Sequence, residues 1–157
     1  MDLETVKKNG HALKNVAEQT DAICLVAVKT SGMALQYVTK QTEAICLAAV
    51  RQHGCALQFV KDQTDAICIA AVNEWSYALA YVKVQTEPIC IAAVRKNGDA
   101  LCYVDRQTEE ICLEAVNNWG RALRYVDEQT EDICYTAYQQ TEDAMVYIER
   151  EFRPSCY

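Results

Sequence analysis

Long apolar runs are missing from this 157-residue sequence. A typical run, residues 66–72, spans seven residues, whereas a helix that crosses a bilayer needs about 20. The start of the chain has no basic-then-apolar signal peptide, and Asp2 stands where N-myristoylation requires glycine. The last residues do not form a prenylation box. We therefore expect a soluble intracellular protein that does not associate with a membrane.

Metal-binding and catalytic motifs are missing as well. The nine cysteines include no Cys-x-x-Cys pair, and the two histidines, His11 and His53, lie far apart in the sequence. No zinc-type spacing therefore appears. We find no Ser/His/Asp grouping, no glycine-rich phosphate loop and no carboxylate pair that would flank a cleft. These absences predict a protein that is not an enzyme and that uses no metal and no cofactor.

Net positive charge is the third absence. The formal net charge is −7, and all of it lies in residues 107–150, because residues 1–106 are neutral in sum. An acidic surface repels phosphate, so binding of nucleic acid is not expected. The acidic end either attracts a basic partner or only keeps that end of the protein soluble.

The main feature that the sequence does have is a period of 22 residues. The dipeptide Gln-Thr recurs at positions 19–20, 41–42, 63–64, 85–86, 107–108 and 129–130. Each is followed by an acidic residue and by Ile-Cys. In the first five units Ala-Val, a turn that usually contains glycine, and Ala-Leu-x-Tyr-Val come next, with Phe59 in place of the tyrosine in one of them; the last unit has Ala-Met-Val-Tyr-Ile at the end. A fixed period of this size is typical of a solenoid, in which each unit buries its apolar face against its neighbours.

The period sets the predicted boundaries. We expect a single array over residues 1–150, followed by a C-terminal tail at 151–157. The array contains a half unit, 1–18, and six full units, 19–40, 41–62, 63–84, 85–106, 107–128 and 129–150.

One unit, 41–62, shows how the pattern predicts helices. Thr42 is a suitable N-cap, and the apolar residues that follow recur on one helical face. Gly54 is interpreted as a left-handed stop, and a second short helix follows it. Two helices of roughly ten residues form a helical hairpin in each repeat. The predicted fold class is therefore all-α, an α-solenoid of short helix-turn-helix repeats with a 22-residue period.

The run Ile-Cys-Leu-Ala-Ala-Val-Arg-Gln-His-Gly-Cys-Ala-Leu-Gln-Phe-Val, residues 45–60, resembles the tandem repeats of the family DUF4116. Such repeats occur in bacterial, protist and large amoeba-infecting DNA virus proteins. The resemblance extends over residues 1–150 and implies an α-helical repeat protein, with a viral source among those it implies. The family supplies no assigned chemistry and no catalytic residues. This sequence departs from the pattern at Ser76 and Glu142, where glycine is expected.

Seven of the cysteines are spaced by 22 residues, one in each hairpin and the last in the tail: Cys24, Cys46, Cys68, Cys90, Cys112, Cys134 and Cys156. Stacked helices lie about 8–10 Å apart, which is farther than a disulfide spans. We predict a ladder of buried thiols that act as small apolar residues, and hence a reducing compartment such as the cytoplasm. Cys55 and Cys102 lie at variable positions and are the candidates for exposed thiols.

Two other columns also repeat. The aromatic column contains five tyrosines and Phe59, so its hydroxyl group is dispensable and packing is its predicted role. The recurring glutamines are expected to bind backbone groups of an adjacent hairpin, because buried turn groups need hydrogen-bond partners.

Function is expected where the repeat varies, in the turn inside each hairpin. The two tryptophans occupy the same turn position two units apart. With nearby turn residues they form an aromatic–basic edge of the residue types that dominate protein interfaces. The candidate partner-binding residues are Trp75, Tyr77, Arg95, Lys96, Trp119 and Arg121. The alternative is that each tryptophan packs over a neighbouring hairpin and only stabilises the fold.

The sequence thus predicts a non-catalytic scaffold that binds another protein, whose identity it does not give. The alternative is a structural or assembly component, of a virion if the source is viral, that associates with itself or with coat or core proteins. The half unit 1–18 favours self-association through the N-terminal end. A repeat protein that reads nucleic acid bases is the third and least favoured alternative, because it needs a basic concave surface.

Overall fold

The protein forms seven α-helices in the part of the chain that its structure, a computed structural model, describes, residues 2–152. They are α1 (Asp2–Lys8), α2 (Asp21–Thr30), α3 (Glu43–Gln52), α4 (Asp65–Glu74), α5 (Glu87–Lys96), α6 (Glu109–Asn118) and α7 (Glu131–Gln140). Over residues 2–152 there is no β-strand. The α-helices from α2 onward begin every 22 residues, which confirms the predicted all-α repeat fold.

A 3₁₀ helix follows each α-helix. These helices are Gly10–Asn15, Gly32–Tyr37, Gly54–Phe59, Ser76–Tyr81, Gly98–Tyr103, Gly120–Tyr125 and Glu142–Tyr147, with a further short one at Arg150–Phe152. The expectation of a second helix of about ten residues is therefore wrong. Gly54, Leu57 and Val60 are buried at a spacing of three, and three residues per turn is the period of a 3₁₀ helix.

The chain divides into two compact units, Met1–Val84 and Gln85–Tyr157. In the first unit, α1 packs on α2, α2 on α3 and α3 on α4. In the second unit, α5 packs on α6 and α6 on α7. The single array over 1–150 stays a prediction. Of the predicted tail 151–157, only residues 151 and 152 are described, and Cys156 lies outside the described residues.

A threonine occupies the N-cap position of each α-helix from α2 to α7, as the sequence predicts. The Thr42 hydroxyl accepts a hydrogen bond from the Ile45 backbone N–H at 3.4 Å, and the first helical residue, Glu43, is acidic. Both features stabilise a helix N-terminus. Pro88 lies in the first turn of α5, where its missing N–H costs no hydrogen bond.

The glycines do not act as left-handed stops. Within residues 2–152 no glycine has a positive φ, and α3 ends at His53 in extended geometry. A Cβ atom on Gly54 would lie 2.7 Å from the Ala71 carbonyl oxygen and 2.8 Å from the Trp75 Cβ atom. Glycine is therefore required because the next repeat approaches this turn too closely for a side chain.

The two departures from glycine keep the local geometry. Ser76 and Glu142 each begin a 3₁₀ helix, as the glycines do, and the residues before them are extended. Ser76 is buried and Glu142 is exposed. The altered residues therefore leave the turn conformation unchanged.

The core repeats with the same period. In α4 the buried face contains Ile67, Cys68, Ala71 and Val72, and Leu79 of the following 3₁₀ helix joins it. Burial of an Ile or Leu side chain stabilises a fold by about 1.5–3 kcal/mol, and each repeat supplies such residues. None of the helices described in residues 2–152 is long and apolar enough to cross a membrane.

Candidate protein-interaction surfaces

In each repeat, a glutamine side chain forms hydrogen bonds with backbone groups near the end of that repeat, and we call these glutamines the glutamine ladder. The Gln63 amide nitrogen donates to the Tyr81 carbonyl at 2.8 Å, and its oxygen accepts from the Lys83 N–H at 2.9 Å. Gln19, Gln41, Gln85, Gln107 and Gln129 bind the residues 18 and 20 positions ahead in the same way. The predicted binding of backbone groups is confirmed, but the expectation that these groups belong to an adjacent hairpin is wrong. Both groups lie in the glutamine's own repeat, at the end of its 3₁₀ helix and in the loop that follows. Gln19 and Gln63 also approach a carbonyl of the preceding repeat, that of Leu13 and that of Leu57, at 3.4 Å.

The cysteine ladder is buried beside the glutamines. The six described members are 2–3 % exposed, which confirms the prediction of buried thiols. Each thiol donates to the oxygen of the glutamine five residues earlier, at 3.7 Å for Cys68 and 3.3 Å for Cys112. Burial raises the pKa of these thiols, and that of Cys112 reaches about 11. A thiol that stays protonated is a poor nucleophile and a poor metal ligand.

The two cysteines outside the ladder differ from each other. Cys102 is exposed, as predicted, whereas Cys55 is half-buried and its thiol donates to the Met33 sulfur at 3.5 Å. Across residues 2–152, no group of three or more histidine, cysteine or acidic residues could hold a metal ion.

An aromatic cluster forms around Trp75 in the first unit. The Trp75 ring lies edge-on to the Tyr77 ring at 5.9 Å between centroids, and 6.3 Å from the Tyr81 ring. The Trp75 Cβ atom contacts the turn at Gly54, yet 40 % of the residue remains exposed. Trp75 therefore packs on the preceding repeat and also presents part of its ring to solvent, and partner binding through it stays a prediction.

An open pocket of about 260 Å³ lies beside Trp75. Its lining consists of Gln52, His53, Gly54, Cys55, Glu74 and Trp75. The two turns that form it belong to consecutive repeats.

The surface next to this pocket has few charges. The 3₁₀ helices Gly32–Tyr37, Gly54–Phe59 and Ser76–Tyr81 pack against one another and contain no charged residue. Their half-buried or exposed side chains are instead aromatic, sulfur-containing, amide or methyl groups: Met33, Gln36, Tyr37, Cys55, Gln58, Phe59, Tyr77, Ala80 and Tyr81. We call Trp75, Tyr77, Tyr81 and the adjacent pocket the aromatic patch.

The candidate residues of the second unit are arranged differently. Trp119 is 48 % exposed. Arg95 donates two hydrogen bonds to Glu114 of the next repeat, at 2.9 and 3.0 Å. This bond raises the pKa of the Arg95 guanidinium and lowers that of the Glu114 carboxyl. Arg121 forms an ion pair with Asp143, whereas Lys96 is exposed.

Of the predicted partner-binding residues, Trp75 and Tyr77 thus lie together in the first unit. In the second unit, two of the three predicted basic residues, Arg95 and Arg121, form ion pairs with acidic residues. Sequence reasoning missed Tyr81, although it belongs to the repeating aromatic column. It also missed Glu114 as the partner of Arg95, because the two lie 19 residues apart, in different repeats.

Comparison with known proteins adds the family. The model of the domain of unknown function DUF4116 matches residues 22–64 and 87–130, more than half of the chain. The chain belongs to the DUF4116 family. Each matched segment spans about two periods of this DUF4116 protein, and residues 65–86, which contain Trp75, Tyr77 and Tyr81, lie between the segments. No curated protein and no solved structure matches the chain.

Proposed function

We propose that this DUF4116 protein is a non-catalytic helical-repeat scaffold that binds another protein through the aromatic patch. The observation that carries the proposal is the Trp75–Tyr77–Tyr81 cluster, which is partly exposed beside an open pocket. Tryptophan and tyrosine are enriched among the residues that dominate binding energies at protein interfaces.

The chemistry of the surroundings suggests the kind of partner segment. The neighbouring 3₁₀ helices carry no charge, and the charged residue in the pocket lining is the acidic Glu74, so an approaching acidic side chain would lose its hydration without gaining an ion pair. An apolar or aromatic side chain placed in the pocket would contact the Trp75 ring. We therefore propose a partner segment with an uncharged apolar anchor.

The second unit supports a smaller role. Its Arg95 and Arg121 already form ion pairs with acids, and a partner would have to break these pairs to use their charge. Trp119 and Lys96 remain available. In this proposal, the aromatic–basic edge is thus reduced to its aromatic part in the first unit.

Two matched variants test the proposal. Trp75→Ala and Trp119→Ala remove the same side chain from the same position of two repeats, but only Trp75 belongs to an aromatic cluster. With affinity capture from the native cell and mass spectrometry, we expect Trp75→Ala to lose a partner that Trp119→Ala and the wild type retain. Circular dichroism should show unchanged helicity in both. Retention of every partner by Trp75→Ala would refute the proposal, and loss of helicity would assign Trp75 to packing alone.

A structural or assembly role is the second candidate function. The observation that favours it is a helical face of the first unit whose charges and apolar side chains fit a second copy of the same face.

A further inference from the structure

The α-helices of the first unit share an outward face with an apolar column. Leu3 of α1, Leu25 of α2, Leu47 of α3 and Ile69 of α4 follow one another at intervals of 22 residues. Leu3 is 42 % exposed and the other three are half-buried. The adjoining positions in α2–α4 are also apolar and half-buried: Val26, Ala48 and Ala70. In α2–α4, the side of each helix that turns away from the core is therefore apolar in its middle, whereas α1 has Glu4 beside Leu3.

Charged rows border this column. At the N-terminal ends of the helices lie Asp21, Glu43 and Asp65, all exposed. At the C-terminal ends lie Lys7, Lys29 and Arg51, also exposed, whereas α4 has Asn73 at this position. Lys7 forms an ion pair with Glu4 of its own helix, so Lys29 and Arg51 are the bases that the proposal uses. The acidic and basic residues of one helix are eight positions apart, or about 12 Å along its axis. We call the apolar column and its two charged rows the α face.

Symmetry decides which partner fits this α face. When two copies meet face to face about a two-fold axis that runs along the stack of helices, each helix lies antiparallel to its own counterpart. Glu43 of one copy then lies opposite Arg51 of the other, Asp21 lies opposite Lys29, and the apolar columns meet. A two-fold axis along the helices would instead place acid against acid. Two-fold interfaces require such self-complementary patches.

We infer that a second copy of this chain docks on the α face in the antiparallel arrangement. The area fits a weak dimer. Four helices spaced about 9 Å apart and about 15 Å long cover on the order of 500 Å² in each copy. The total of about 1,000 Å² is at the lower end of specific protein interfaces. The dimer therefore forms in a concentration-dependent equilibrium.

The second unit offers an internal contrast. Its helices continue the apolar column with Ile91 and Leu113, but Glu114 replaces the small apolar residue next to Leu113. Asn117 stands at the position of Arg51, as Asn73 does in α4, and Arg95, the base of α5 at this position, is bound to Glu114. If the second unit met a second copy in the same arrangement, the acidic ends of its helices α5 and α6 would therefore find no unpaired basic residue opposite them. Self-pairing is thus assigned to the first unit.

Charge exchange between two variants tests the inference directly. In Arg51→Glu both ends of α3 are acidic, and in Glu43→Arg both ends are basic. Neither variant should pair with itself, because like charges would face each other at two symmetric positions. We expect the dimer dissociation constant of each to rise by about 100-fold or more. An equimolar mixture should form a heterodimer, since each acidic end then meets a basic end.

Analytical ultracentrifugation over a concentration series measures these constants, and circular dichroism verifies that the variants fold. Asn117→Glu is the matched charge control in the second unit and should dimerise as the wild type does. Leu47→Glu and Leu113→Glu form a second matched pair, in which only the first should abolish dimerisation.

Three results would overturn the inference. A wild-type chain that stays monomeric at every concentration would leave the α face to a different protein. A dimer that survives Arg51→Glu would use another surface, such as the N-terminal end. Two variants that fail to pair when mixed would exclude the antiparallel arrangement. The outcome is independent of the aromatic patch, because Trp75→Ala changes neither the charges nor the apolar column.

Discussion

Replacement of Gln63 by alanine removes one complete rung of the glutamine ladder. The side chain loses its bond to the Tyr81 carbonyl at 2.8 Å and its bond from the Lys83 N–H at 2.9 Å. The Cys68 thiol also loses its acceptor. The backbone of the loop is left without these partners.

The magnitude follows from these contacts. A hydrogen bond of this kind contributes about 1 kcal/mol net, and a polar group left unsatisfied costs about 1–3 kcal/mol. Because Lys83 is exposed, water replaces part of what is lost. We therefore expect Gln63→Ala to lower the free energy of unfolding by about 2–3 kcal/mol. For a chain of this length, Tm falls by about 2–4 °C per kcal/mol, so a decrease of about 4–12 °C should follow.

Gln58→Ala is the matched control, because the Gln58 side chain is exposed and makes a local bond to the Cys55 carbonyl. Thermal unfolding followed by circular dichroism compares the two variants, and amide hydrogen exchange locates the effect. The Lys83 N–H should exchange faster in Gln63→Ala, because its acceptor is gone. Equal Tm values for Gln63→Ala and Gln58→Ala would refute the role assigned to the ladder.

Two further predictions follow from close packing and from buried thiols. Gly54→Ala should destabilise the fold by about 1–3 kcal/mol, because the new Cβ would lie 2.7 Å from the Ala71 carbonyl oxygen; a Tm unchanged from wild type would contradict this. Because folding raises the pKa of Cys112 from 9.0 to about 11, the stability from this neutral thiol is complete below about pH 9 and is lost as the pH rises towards 11. When thermal unfolding is measured from pH 8 to 11, the Tm should therefore fall less steeply with pH for Cys112→Ala than for the wild type. Equal slopes of Tm against pH would exclude the effect.

The helices and the core followed from local pattern, whereas the turns depended on contacts between repeats. Thr42 and the face that starts at Ile45 were predictable, since capping and 3.6-residue periodicity are properties of a single segment. The role of Gly54 was not, because its cause is the Ala71 carbonyl of the following repeat. The 3₁₀ helix could have been predicted from the spacing of three between Gly54, Leu57 and Val60, which fits three residues per turn better than the 3.6 of an α-helix.

The candidate surfaces were predictable to a lesser extent. The turn position of Trp75 indicated a variable site. Its contacts with the Tyr77 and Tyr81 rings were not predictable, because they depend on the 3₁₀ helix, which places both tyrosines near the tryptophan. The ion pair between Arg95 and Glu114 joins neighbouring helices, and its register depends on how those helices stack. Charge pairs of this kind become visible only when the packing of the repeats is known.

The glutamine ladder also determines how the chain can change in length. Each glutamine binds the residues 18 and 20 positions ahead, and each turn glycine meets the alanine carbonyl of the following repeat. Removal of residues 41–62 would place Gly32 against Ala71 instead of Ala49 and would leave the bonds of Gln63 as they are. A deletion of 21 or 23 residues would instead shift the contacts that cross the junction out of register by one residue. Gene duplication or loss can therefore lengthen or shorten this protein in whole steps of 22 residues, with no new side-chain chemistry required at the junction.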